Sequence, residues 1–162
     1  MNQLDEHQAA VAATTGRVRA LRINSLAAVV MLLIEYGLGL WLNLYAKLPA
    51  GDRGASVPAG FGRAVADGPA GLTIHALLGV ALLASSIAVV VRAARVAGPG
   101  IIALAALGLL AIISAALNGS RFVGDQANGA SLVMGLSAAV AILCYVIIMF
   151  AAAPRPGRAP AS

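Results

Sequence analysis

Six side chains set in largely apolar surroundings are the residues of this sequence that could do chemistry: Glu35, Asn43, His75, Asn118, Arg121 and Met134. A polar or ionisable group inside a stretch of Leu, Ile, Val and Ala is costly to bury unless it is paired or neutralised, so each marks a candidate site. Glu35 has two readings. Burial favours the uncharged acid, donating a hydrogen bond to a neighbouring helix; alternatively, the carboxylate binds a proton or cation in a transport cycle. His75 also has two. It is either an imidazole hydrogen-bonded to Asn43 or Asn118, or a metal ligand, specifically an axial ligand of a b-type haem, since neutral imidazole is a common iron ligand. In the haem reading Met134, a second protomer's His75, or nothing would take the opposite axial position, and Arg121 would meet a propionate. The other histidine, His7, lies in the polar N-terminal segment.

The elements that must hold these groups are four long apolar runs, Ile23–Tyr45, Leu72–Val91, Ile101–Leu117 and Ala130–Ala153. A hydrocarbon core of ~30 Å takes about 20 helical residues to cross, and lipid offers no partner for bare peptide groups, so the runs predict membrane-spanning helices. Hydrophobic residues make up 60% of the chain and charged ones 10%, which excludes an ordinary soluble domain. The expected fold is an all-α integral membrane four-helix bundle. It comprises an N-terminal cytoplasmic segment over residues 1–22, a four-span domain over 23–153 and a disordered Pro-rich cytoplasmic tail over 154–162.

Depth follows from the 1.5 Å rise per residue. Glu35 falls near the middle of the first run, with Asn43, His75, Asn118 and Met134 roughly 10 Å nearer the outer surface and Arg121 about one turn above them. Glu35, Gly39 and Asn43 share a helix face, as do His75, Gly79 and Ser86, and Ser114, Asn118 and Arg121. The layer therefore predicts a common interior site near the outer leaflet.

Charge placement orients the bundle. With the N-terminus inside, seven basic residues (Arg17, Arg19, Arg22, Arg92, Arg95, Arg155, Arg158) face the cytoplasm and four (Lys47, Arg53, Arg63, Arg121) face outward. That excess favours both termini inside. Trp41 and Tyr45 suit interfacial anchors at the outer end of the first run. Arg17, Arg19 and Arg22 precede that run as in a signal peptide, but the run is too long and carries Glu35, so it reads as an uncleaved span. Residues 1–15 are expected to be frayed or interfacial. Gly98-Pro99-Gly100 predicts a tight turn between the second and third runs. In the long first loop, Phe61, Val65 and Ala66 fit either a short amphipathic helix or a plain loop. LNLYAKLPAGDRGA (residues 42–55) and LNGSRFVGDQANGA (residues 117–130) suggest either a duplicated hairpin or chance likeness.

Several classes are excluded or left without a motif. The formal charge of +5 is scattered through tails and loops with few aromatics, which disfavours nucleic acid and favours contact with anionic lipid. The single Cys144 permits no intrachain disulfide and no thiolate metal cage. No nucleotide loop, catalytic triad or paired catalytic carboxylates occur, so no enzymatic activity is assigned. The expected partners are the lipid bilayer and other membrane proteins or a second copy of the chain.

Three resemblances add to this reading. Gly71–Ala93, GLTIHALLGVALLASSIAVVVRA, resembles the haem-binding helices of b-type cytochromes and haem A synthase. There a histidine is followed one turn on by a small residue that makes room for the ring, here His75 and Gly79. That likeness implies a b-type haem, but the paired histidines of such bundles are missing. Glu35 in a first span of a four-span protein is similar to the essential glutamate of small multidrug transporters, although the long first loop and the tails depart from them. Over its whole length, through IEYGLGLWLNLY, LPAGDRGA and IHALLG, the chain resembles uncharacterised four-span integral membrane proteins of GC-rich bacteria. This implies a multi-pass bacterial inner-membrane location without an activity. The functions expected are thus a haem-binding or redox module, a non-catalytic accessory subunit of a membrane complex, or a small proton-coupled transporter using Glu35.

Overall fold

The computed structural model describes residues 3–45, 56–125 and 128–152, and these are all-helical. The helices are α1 (Gln3–Tyr45), α2 (Val57–Ala66), α3 (Ala70–Val96), α4 (Pro99–Asp125) and α5 (Asn128–Ala151). Four of them, α1, α3, α4 and α5, are long and apolar enough to cross a membrane. Their outward faces carry Leu33, Leu110, Leu143 and Phe150, between 54% and 74% exposed, the inverse of a soluble protein.

α1 is longer than its apolar run. Its 43 residues amount to about 64 Å, twice a hydrocarbon core. Residues 1–15 are expected to be frayed or interfacial; over the described part fraying is not found, because the helix is continuous from Gln3. Ala9, Ala10, Ala12 and Ala13 are strong helix formers, and Asp5 and Glu6 oppose the dipole in the first turn. Thr14 and Thr15 donate their hydroxyls to Ala10 O and Val11 O, so neither competes for the backbone elsewhere. Residues 3–13 are exposed; packing begins at Val18.

The connections follow the breakers. α3 ends at Val96, where Ala97 N–H closes the last turn onto Ala93 O, and α4 starts at Pro99, a position that tolerates the missing N–H. Of the two readings of the first loop, a short helix or a plain loop, the helix is found: α2, entered through Ser56 and Pro58 and packed against α3 and α4. The tail over 154–162 and most of the first half of the suggested repeat lie outside the described residues.

Contacts across the bundle set an up-down-up-down order. α1 and α3 meet at Gly71 against Trp41, Gly39 against His75, and Gly79 against Glu35. α1 and α5 meet through Asn43–Ser131, Gly135 against Tyr36, and Arg22 to Phe150 O. α4 and α5 meet at Gly119–Met134, Ser114–Ser137 and Gly108–Tyr145. Numbers rise on one helix as they fall on its neighbour, so each of these pairs is antiparallel. α3 also packs on α4, which closes a ring of α1, α3, α4 and α5. Glycine is what permits several of these approaches: a Cβ at Gly71 would sit 2.9 Å from the Trp41 ring.

Packing divides the ring into unequal halves. The half containing Leu21, Val89, Ala105 and Ile148, each fully buried, is sealed by one continuous apolar cluster. In the half with the α3 N-terminus, the buried apolar residues reduce to Leu42 and Leu72 with Ala76 against them. Among the described residues of α4 and α5, none is buried between Ile113 and Val140. The looser half is the one that carries Glu35, His75, Asn43, Asn118, Arg121 and Met134.

Candidate functional site

Glu35 and His75 form one ion pair, His75 Nδ1 against Glu35 Oε2. The two residues come from adjacent antiparallel helices, α1 and α3. Each faces a small residue of the other helix: a Cβ at Gly39 would lie 3.7 Å from His75 Cε1, and one at Gly79 3.8 Å from Glu35 Oε1. The Glu35 side chain is 9% exposed and that of His75 29%. Only Oε2 is engaged; Oε1 is buried without a hydrogen-bond partner. A carboxylate oxygen left without a partner in an apolar bundle is costly.

The pair departs from the expected arrangement in two ways. Depth counting put His75 about 10 Å further out than Glu35, whereas the helix register puts it opposite Gly39, one turn away, about 6 Å along the axis. Two extended side chains bridge that offset. The count failed because the apolar runs do not show how far one helix slides past another; the glycine contacts decide that. The expected bonds from His75 to Asn43 or Asn118 are also absent among the described residues. Asn43 is exposed and donates to Ser131 Oγ at 3.4 Å, while Asn118 turns back to Ser114 O on its own helix at 2.9 Å.

The remaining candidates are placed as follows. Met134 presents its sulfur to Gly119 of α4, where a Cβ would lie 3.1 Å away. Arg121 is exposed near the α4 C-terminus, and His7 is exposed on the protruding part of α1. Sequence reasoning passed over Ser137, whose hydroxyl meets Ser114 at 3.0 Å. By the antiparallel registers, that hydroxyl pair stands at the level of Glu35 on the opposite hairpin. It also passed over Asn24, which donates to Ser85 O at 3.0 Å, and Tyr145, fully buried with its hydroxyl against Gly108. Asn24 and Tyr145 were readable as polar groups in apolar runs; Ser137 was not, since serine is common in such helices.

As chemistry, the arrangement is a carboxylate–imidazole pair that can hold one proton between its members, plus one unused carboxylate oxygen. Among the described residues no three His, Cys, Asp or Glu side chains gather as a metal cage. Nor do the residues fit the haem that the α3 resemblance implies. Gly79, the small residue of that resemblance, faces Glu35 Oε1, and the Met134 sulfur lies against Gly119 of α4. No family model matches the chain, and no curated protein or solved structure matches it either.

Mutual dependence of the pair is measurable. Removing His75 alone leaves a buried carboxylate without its partner, so His75→Ala should destabilise the protein more than Glu35→Gln/His75→Ala does. A double-mutant cycle, read from reversible unfolding in mixed micelles, should give a coupling of roughly 0.5–3 kcal/mol. Additive single effects would show that the two side chains do not interact.

Proposed function

We propose that the protein is a small multi-pass membrane transporter that exchanges a proton for a compact cation at the Glu35–His75 pair. The observation that carries this reading is the orphaned Glu35 Oε1, buried within an ion pair in the less tightly packed half of a membrane-type bundle. With one proton held between Oε2 and Nδ1, the pair is neutral overall. When the proton leaves, the carboxylate can accept hydrogen bonds from a cation in its place. A purely structural accessory subunit would gain nothing from a buried oxygen left without a partner.

The substrate class follows from the side chains around the pair. Serine and asparagine, at Ser114, Ser137, Asn118, Asn43 and Ser131, supply neutral hydrogen-bonding groups at and above its level. The aromatic residues of the same half lie elsewhere: Trp41 packs on Gly71, and Tyr36 packs on Gly135. A cation that donates hydrogen bonds is therefore preferred to one that needs an aromatic cage. In vesicles with an acidic lumen, the reconstituted protein should take up guanidinium and release protons in step, and tetramethylammonium should be transported poorly. Glu35→Gln should abolish both fluxes. Proton-coupled guanidinium uptake that survives Glu35→Gln would overturn the assignment.

The orientation we propose has both termini in the cytoplasm of a bacterial inner membrane, with the Glu35–His75 half toward the outside. Its support is the seven-to-four excess of Lys and Arg on the inner side. Cysteine placed at Ser56, in a Cys144→Ala background, should react with an impermeant maleimide added outside intact cells. Reaction only after the cells are opened would reverse the topology.

A further inference from the structure

The end of the bundle opposite the Glu35–His75 pair carries positive charge that the chain itself does not neutralise. Arg17, Arg19 and Arg22 of α1 and Arg92 and Arg95 of α3 are all exposed. α1 and α3 run antiparallel, with Gly39 against His75 and Asn24 donating to Ser85 O. Continued along the pair, that register sets Arg17 and Arg19 beside the last two turns of α3, so the five guanidinium groups fall within about 10 Å along the bundle axis. Arg22 is partly engaged, since its Nη2 donates to Phe150 O at 3.3 Å near the end of α5. Arg92 and Arg95 complement the dipole at the α3 C-terminus, but that reason does not extend to Arg17 and Arg19 in the interior of α1. No Asp or Glu occurs between His7 and Ile34, between Gly68 and Gly124, or after Asp125. Glu6, the nearest carboxylate along α1, is about 16 Å from Arg17.

Both helices also carry an aliphatic face that begins at an arginine. Arg19, Ile23, Leu26 and Val30 follow at i, i+4, i+7 and i+11 on α1, and Arg95, Val91 and Ile87 at i, i−4 and i−8 on α3. The aliphatic side chains of these two faces are between 43% and 57% exposed. We propose that Arg17, Arg19, Arg92 and Arg95 bind the phosphate of an anionic phospholipid whose acyl chains lie along the two faces. A guanidinium fork matches phosphate oxygens in paired hydrogen bonds, and the long side chain reaches the headgroup level while its methylenes stay on hydrocarbon. A soluble phosphate would use the arginines alone; the aliphatic faces that run from them toward the bilayer centre favour a lipid. A lipid of net negative charge is preferred to a zwitterionic one, whose own cation would join an existing excess of positive charge. This site is separate from the Glu35–His75 pair and owes nothing to a transport cycle.

The test is a competition for lipid, read by native mass spectrometry of the full-length protein. The protein is released from micelles that contain equal amounts of dioleoyl phosphatidylglycerol and dioleoyl phosphatidylcholine, and it should retain the phosphatidylglycerol. Arg19→Gln/Arg95→Gln removes two exposed charges and leaves no buried group unpaired, so it should melt as the wild type does in phosphatidylcholine alone. Its retention of phosphatidylglycerol should fall about thirtyfold. Arg17→Gln/Arg92→Gln is an independent second variant and should show the same loss. Arg121→Gln, at the opposite end of the bundle, should bind as the wild type does, and excess glycerol phosphate should not displace the lipid. Equal retention of the two lipids, or undiminished phosphatidylglycerol binding in both double variants, would overturn the site. So would an equal loss in Arg121→Gln, and displacement by glycerol phosphate would replace the lipid with a soluble phosphate.

Discussion

Glu35 and His75 constrain the rest of the bundle, because an apolar interior tolerates ionisable groups only when they are paired. Each needs the other in place, so α1 and α3 are tied at one register. Close backbone approach at that register is required at Gly71, where a Cβ would meet the Trp41 ring at 2.9 Å, while Gly39 and Gly79 face His75 and Glu35 at ordinary contact range. In lipid there is little hydrophobic force between helices, and their association rests on close packing and interhelical polar contacts. The α1–α3 interface uses both, with glycines for approach and the ion pair for specificity.

The second consequence is the asymmetry of packing. Continuous apolar burial occupies one half, from Val18 and Ile148 to Ile112, while the half that houses the pair is only partly buried. A structural bundle would gain stability by sealing both ends. Here Ser114, Ser137 and Asn118 in the less tightly packed half are only partly buried and Asn43 is exposed, whereas Tyr145 in the other half is fully buried. The two hairpins also contribute unlike groups at the same depth, an ion pair from α1 and α3 and a pair of hydroxyls from α4 and α5.

Much of the architecture was legible in the residues. The apolar runs located four helices to within a few residues at most ends, and Gly98-Pro99-Gly100 marked the turn that brings α3 beside α4. For the N-terminal segment, read as frayed or interfacial, fraying is not found: its alanines extend α1 back to Gln3. Both members of the ion pair were identifiable, since Glu and His are rare in apolar runs and conspicuous there. Their pairing was not. Register between helices depends on which small residues face each other, and sequence periodicity places a residue on a face without saying how far that face slides. The asparagines were misassigned for a related reason: Asn118 reaches a carbonyl on its own helix, a local bond that competes with any partner across the bundle.

The contact between the Glu35 carboxylate and His75 Nδ1 carries the rest of the structure. Nitrogen-15 NMR of the membrane-embedded protein reads it directly, and a His7→Gln background leaves His75 as the only imidazole. The account predicts a protonated Nδ1 with a strongly deshielded hydrogen, and loss of that signal in Glu35→Gln. An Nδ1 resonance identical with and without the Glu35 carboxylate would contradict it.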